Sequence, residues 1–164
     1  METREHTISI LVNNQPGVLS RVAGVFSGRG YNISSLCVAE TTNPDVSRIT
    51  LTSRADTDFT EKIKKYLDRL VDVIAVEDFT GTDCAQRELV LIGITVRPEH
   101  RHEILKAIEI FGCRIVAMAE EYIILEITGD PVFTSAVLKF FSPFGIEEMN
   151  RTGTIAVLRR KDSR

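Results

Sequence analysis

The sequence predicts an α+β protein made of two consecutive copies of one small βαββαβ unit, and three observations carry that prediction. Apolar residues recur with the period of strands and then of helices, in the same order twice along the chain. The transition from helix to strand recurs as well, at Gly30-Tyr31-Asn32-Ile33 and again at Gly112-Cys113-Arg114-Ile115. Between the halves lies 80–87, rich in Thr, Gly and Asp, which divides the chain into domains at 1–80 and 81–164.

In the first half, Ile8, Ile10 and Val12 alternate with mostly polar neighbours, as in a half-buried strand. After Asn13-Asn14-Gln15-Pro16-Gly17, residues Val18, Leu19, Val22, Val25 and Phe26 fall on one helical face. Pro16 suits the first helical position there, and Gly28 or Gly30 the stop. The segments 31–40 and 47–53 flank the turn Thr41-Thr42-Asn43-Pro44-Asp45 and form a hairpin. Asp58 followed by Glu61 reads as a capping box, opening a helix whose buried stripe is Phe59, Ile63, Leu67 and Leu70. Residues 73–79 supply the fourth strand.

The second half repeats the order. Strand 88–96 precedes a helix entered through Pro98 and carrying Ile104, Leu105, Ile108 and Phe111. A hairpin turns near Ala119-Glu120-Glu121, Asp130-Pro131 caps a helix with Phe133, Val137, Phe140 and Phe141, and Thr154 to Leu158 is expected to close the unit as its last strand. Each unit then has a four-stranded antiparallel sheet with both helices on one face, the ferredoxin-like split-βαβ arrangement. The other sheet face is left to be covered. A unit of about 75 to 80 residues buries only about 60% of its unfolded surface, so association with a further copy is expected.

Composition narrows the function. The 164 residues are 43% hydrophobic and 26% charged, the balance of a soluble globular chain. A net charge of -3, with basic residues grouped only at Arg159-Arg160-Lys161, argues against a nucleic-acid surface. No apolar stretch reaches the roughly 20 residues of a membrane span, and 1–6 lacks the apolar core of a signal peptide, so a cytoplasmic protein is expected. Three widely spaced cysteines, Cys37, Cys84 and Cys113, form neither a disulfide framework nor a zinc site and read as reduced, mostly buried small hydrophobes.

The candidate site is the loop Asn14-Gln15-Pro16-Gly17-Val18-Leu19. A helix N-terminus offers unpaired N–H groups and a positive dipole end to a carboxylate. Gly17 permits close approach, and the Asn14 side-chain oxygen can accept from an ammonium group, which together suit an α-amino acid. The same residues also suit an ordinary turn in which Asn14 caps the helix. His100 and His102 lie two apart and so on different helical faces, Glu120 and Glu121 sit at a hairpin tip, and no Ser, His and Asp set activates a nucleophile. The chain is therefore expected to be no enzyme and to hold no metal.

The βαββαβ order, the loop 14–19 and Gly30-Tyr31-Asn32-Ile33 resemble the ACT domain, an amino-acid-sensing module. The run from Ser20-Arg21-Val22 through Phe26-Ser27 to 29–36, with Val46-Ser47-Arg48 and Leu70-Val71-Asp72-Val73, is similar to the small regulatory subunits of acetolactate synthase, also called acetohydroxyacid synthase. This resemblance implies activation of a catalytic large subunit and feedback inhibition by valine in branched-chain amino-acid synthesis. It places thiamine diphosphate, magnesium and FAD on the catalytic partner and none here. It further implies a homodimer in which two ACT domains form an eight-stranded sheet. Valine would be held by Asn14, Pro16, Gly17, Val18 and Leu19 of one chain and closed by Asn32 and Ile33 of the other. In the second unit Arg97-Pro98-Glu99-His100 replaces the Asn and Gly of the loop, so that unit is expected to serve assembly. The competing reading is a free-standing amino-acid-binding ACT regulator of another enzyme or of transcription.

Overall fold

The computed structural model describes residues 3–159. In the first unit, strand β1 (Arg4–Asn13) leads to helix α1 (Val18–Ser27), the hairpin β2 (Ile33–Glu40) and β3 (Val46–Ala55), helix α2 (Phe59–Leu67) and β4 (Val73–Asp78). The sheet order is β2-β3-β1-β4, all antiparallel, so β2 is an edge. Ile8, Ile10, Val12, Ile49 and Leu51 point to one face, where Val18, Val22 and Phe26 from α1 and Phe59, Ile63 and Leu67 from α2 close a single core. Leu70 packs against that core from beyond the end of α2. At about 25 cal/mol per Å² of apolar surface, each of these fully buried side chains contributes about 1.5–3 kcal/mol of transfer free energy.

The second unit repeats the plan with β5 (Cys84–Thr95), a 3-10 turn (Pro98–His100), α3 (Arg101–Phe111), β6 (Arg114–Met118), β7 (Tyr122–Gly129), α4 (Pro131–Gly145) and β8 (Ile146–Arg151). Its strand order, β6-β7-β5-β8, matches the first sheet position by position. Val90, Ile92, Ile94, Ile123, Leu125 and Ile127 pack against Ile104, Ile108, Val137 and Phe141. The Asp130 carboxylate accepts from Phe133 N at 2.8 Å, the cap expected there. Gly112 closes α3 with φ +64, as a left-handed C-terminal stop requires.

Four local expectations are corrected. The fourth strand of the second sheet is β8, and Ile155–Leu158 is an additional strand, β9, that pairs with β5. β8 carries no strand signal in the sequence because Ile146-Glu147-Glu148-Met149-Asn150-Arg151 is exposed beyond its first residue and shows no apolar alternation. Pro16 does not open α1: Gly17 is the N-cap, with φ +83, and helical geometry starts at Val18. Asp58 sits at the N-cap of α2 without a side-chain capping bond, because its own backbone is already helical, and its carboxylate lies 3.8 Å from Lys62 Nζ. The cysteines are half-buried rather than mostly buried, with burial raising the Cys113 thiol pKa.

Among the described residues the compact units are 3–85 together with 153–159, and 86–152. The chain thus returns to its first unit after the second is complete. There β9 lies against β3, and Gly153, at φ +82, sits so close to β2 that a Cβ on it would stand 3.1 Å from Ser35 Cβ. The sheet face away from the helices carries Thr7, Ser9, Thr50 and Thr52, all buried despite being polar. Thr52 shares a hydrogen bond with Ser35, Oγ1 to Oγ 2.7 Å, and Ser9 accepts from Arg48, so this face is hydrogen-bonded rather than oily.

Candidate functional site

The loop between β1 and α1 is fixed from both sides by backbone bonds. Asn13 N donates to Asp72 O at 2.8 Å, Asn14 N to Asp45 O at 2.8 Å and Gln15 N to Asn13 O at 3.0 Å. Gly17 then turns the chain into the helix through a left-handed backbone that a side-chain-bearing residue rarely adopts. Val18 is buried in the core, whereas Asn14, Pro16, Gly17 and Leu19 face solvent. The result is a rigid rim of exposed groups ahead of a helix N-terminus, where the first N–H groups lack intrahelical acceptors.

Asn14 does not cap α1. Its Nδ2 donates to Glu40 Oε1 at 3.0 Å and to Pro44 O at 2.8 Å. Both bonds use the donor end of the amide. Arg21 stands one turn into the helix, its guanidinium on Asp72 at 2.5 and 3.0 Å, and a Cβ at Gly17 would lie 3.1 Å from its Nη1. Glu40, Arg21 and Asp72 were not singled out from the sequence. Their roles depend on contacts across 26 and 51 residues that no local pattern encodes.

Asn32 and Ile33 are not near this loop within one chain. Ile33 pairs with Ser53, which pairs with His6, while Asn13 at the loop pairs with Val46. At about 3.3 Å per residue, the run from His6 to Asn13 spans roughly 23 Å. The Asn32 carbonyl accepts from Ser53 Oγ at 2.7 Å, which fixes the start of β2 at the far end of the sheet. Of the seven residues read as one site, the structure groups Asn14, Pro16, Gly17, Val18 and Leu19, and sets Asn32 and Ile33 apart.

β2 itself is an exposed edge, with Val38, Ala39 and Glu40 open to solvent and Leu36 and Cys37 half-buried. An edge strand offers a row of unpaired backbone groups to another strand. Among the described residues no group of His, Cys, Asp and Glu is placed to hold a metal ion, and no helix is long and apolar enough to cross a membrane.

Comparison with known proteins covers both units. Residues 8–75 match the model of the AHAS small subunit-like ACT domain, and residues 87–160 match the model named small subunit of acetolactate synthase. A probable acetolactate synthase small subunit of Archaeoglobus fulgidus is 42% identical over 155 residues, covering 94% of this chain and 97% of that protein. One from Methanothermobacter thermautotrophicus is 40% identical over 160 residues, 97% of this chain and 95% of its own length. The crystal structure of the acetolactate synthase small subunit from Thermotoga maritima superposes with a TM-score of 0.88 at 36% identity, covering 96% of this chain and 99% of that one. With both units matched and the same tandem ferredoxin-like architecture, this chain belongs to the acetolactate synthase small subunit family.

Proposed function

We propose that this chain is the regulatory subunit of an acetolactate synthase, activating the catalytic large subunit and conferring feedback inhibition by valine. The carrying observation is the split of the candidate site. The loop 14–19 lies at one end of the sheet and Asn32-Ile33 at the other, with the open edge β2 running between them. If two copies pair antiparallel through β2 about a two-fold axis, the start of β2 in one copy falls beside Glu40 in the other, and Glu40 is bonded to Asn14. Asn32 and Ile33 of a second copy then reach the loop. Valine held there touches both chains, its carboxylate at the helix N-terminus and its ammonium at the Asn14 oxygen.

A ligand shared by two chains ties occupancy to their relative geometry, and that is how binding is transmitted to the large subunit. A preference of about 1–3 kcal/mol for one arrangement changes the balance roughly 5- to 150-fold, enough for feedback control. The test is reconstitution with the catalytic subunit and titration of valine against acetolactate formation, for wild type and Asn14→Ala. Activation retained with valine inhibition lost supports the reading. Unchanged valine inhibition in Asn14→Ala moves the site elsewhere, and no activation of the catalytic subunit by the wild-type chain removes the role itself.

A further inference from the structure

The face of the first sheet away from its helices carries Arg48 and Glu77 beside Ser9. A cavity of about 660 Å³ opens there, lined by Arg48, Glu77, Phe79, Asp83, Ala156 and Leu158 among others, all in the first unit. Three properties set its ligand. First, its charged groups balance: Arg48 and Arg159 face Glu77 and Asp83, so neither a polyanion nor a cation is favoured. Second, these ion pairs stand open. Arg48 Nη1 to Glu77 Oε2 is 3.5 Å and Arg159 Nε to Asp83 Oδ1 is 3.7 Å, against 2.5 Å for the closed Arg21–Asp72 pair. Third, Phe79 and Ala156 are buried at its wall, with Leu158 and Val157 beside them, giving an apolar surface next to the charges.

Arg48 is the anchor. Its Nη1 donates to Ser9 Oγ at 2.6 Å, and Ser9 is 1% exposed, so the guanidinium is held from below while half-exposed itself. An adjacent guanidinium and carboxylate match the carboxylate and ammonium of an α-amino acid, which are separated by a single carbon. Bidentate recognition of a carboxylate is what a guanidinium does best. We propose that this cavity is a second amino-acid site, taking a neutral α-amino acid with a small apolar side chain between Arg48, Glu77 and the apolar residues of β9. The proposal is independent of the loop site. β9, which lines the cavity, follows Gly153, which stands beside Ser35 and Leu36 of β2.

The experiment is titration of the full chain with L-valine, with L-lysine and L-glutamate as controls, followed by calorimetry and by methyl NMR. Wild type is expected to shift the methyls of Val157 and Leu158. Arg48→Gln and Glu77→Gln should each weaken that event by at least about tenfold, since each removes one charge-assisted partner. Asn14→Ala should leave it intact while altering the response of Val18 and Leu19. Valine binding that moves no β9 methyl, or that Asn14→Ala abolishes entirely, overturns the second site and leaves the loop site standing. Equal binding by both Gln variants and wild type overturns it as well.

Discussion

The Asn14 amide donates to the Glu40 carboxylate at 3.0 Å, tying the loop after β1 to the last residue of β2. This bond fixes the Asn14 side chain and links the candidate loop to the edge where a second copy is proposed to dock. Glu40→Ala removes it without touching the core, because Glu40 is exposed. A bond of about 0.5–1.5 kcal/mol corresponds to roughly 2- to 12-fold. The valine concentration for half-inhibition of the reconstituted enzyme should rise by that factor, with unfolding by urea unchanged.

Gly17→Ala tests the loop geometry separately. At φ +83 an alanine is strained by about 1–2 kcal/mol, and its Cβ would stand 3.1 Å from Arg21 Nη1, a side chain already engaged by Asp72. The first unit should lose that much stability in urea unfolding. An unchanged midpoint would mean that the loop relaxes out of its left-handed turn.

The periodic elements were legible in the sequence and the devices at their ends were not. Ile8, Ile10 and Val12 or Phe59, Ile63 and Leu67 declare their buried faces by spacing alone, since spacing is what burial imposes. Pro16 misleads as a helix start because the left-handed Gly17 intervenes before helical geometry begins, and Asp58 stands at the expected N-cap without making the capping bond. The fourth strand of the second unit was misplaced because β8 lacks an apolar face, whereas Ile155-Ala156-Val157-Leu158 has the stronger β pattern. Asn14 and Gly17 mark the candidate loop in the sequence, whereas Glu40 reaches it only through folding.

The β2 edge yields a direct test of the dimer. Val38 is 39% exposed on this strand, and pairing through β2 would bring two copies of it close to the two-fold axis. Val38→Asp places a carboxylate in each copy there, and pairing would strip water from that charge, which is unfavourable. Analytical ultracentrifugation should show the protein shifting from dimer to monomer, with valine inhibition lost in parallel. A dimer that keeps its affinity would assign the contact to another surface.

Glu88 joins three elements of the second unit. Its side chain is 2% exposed, and the carboxylate accepts from Arg151 Nη2 at 2.5 Å and Nε at 3.3 Å on β8 and from the Thr134 hydroxyl on α4. Glu88→Gln keeps the volume but turns an acceptor-only group into one with an amide donor, which cannot satisfy all three partners. The cost should be about 2–3 kcal/mol, below the full penalty for breaking a buried pair, because Arg151 is 38% exposed and regains water. If the pair serves to fix β8 rather than to stabilise, the double variant Glu88→Met with Arg151→Met recovers most of that loss in urea unfolding. Amide exchange in β8 should nevertheless remain faster in the double variant than in wild type, since its backbone ladder to β5 has almost no apolar burial behind it.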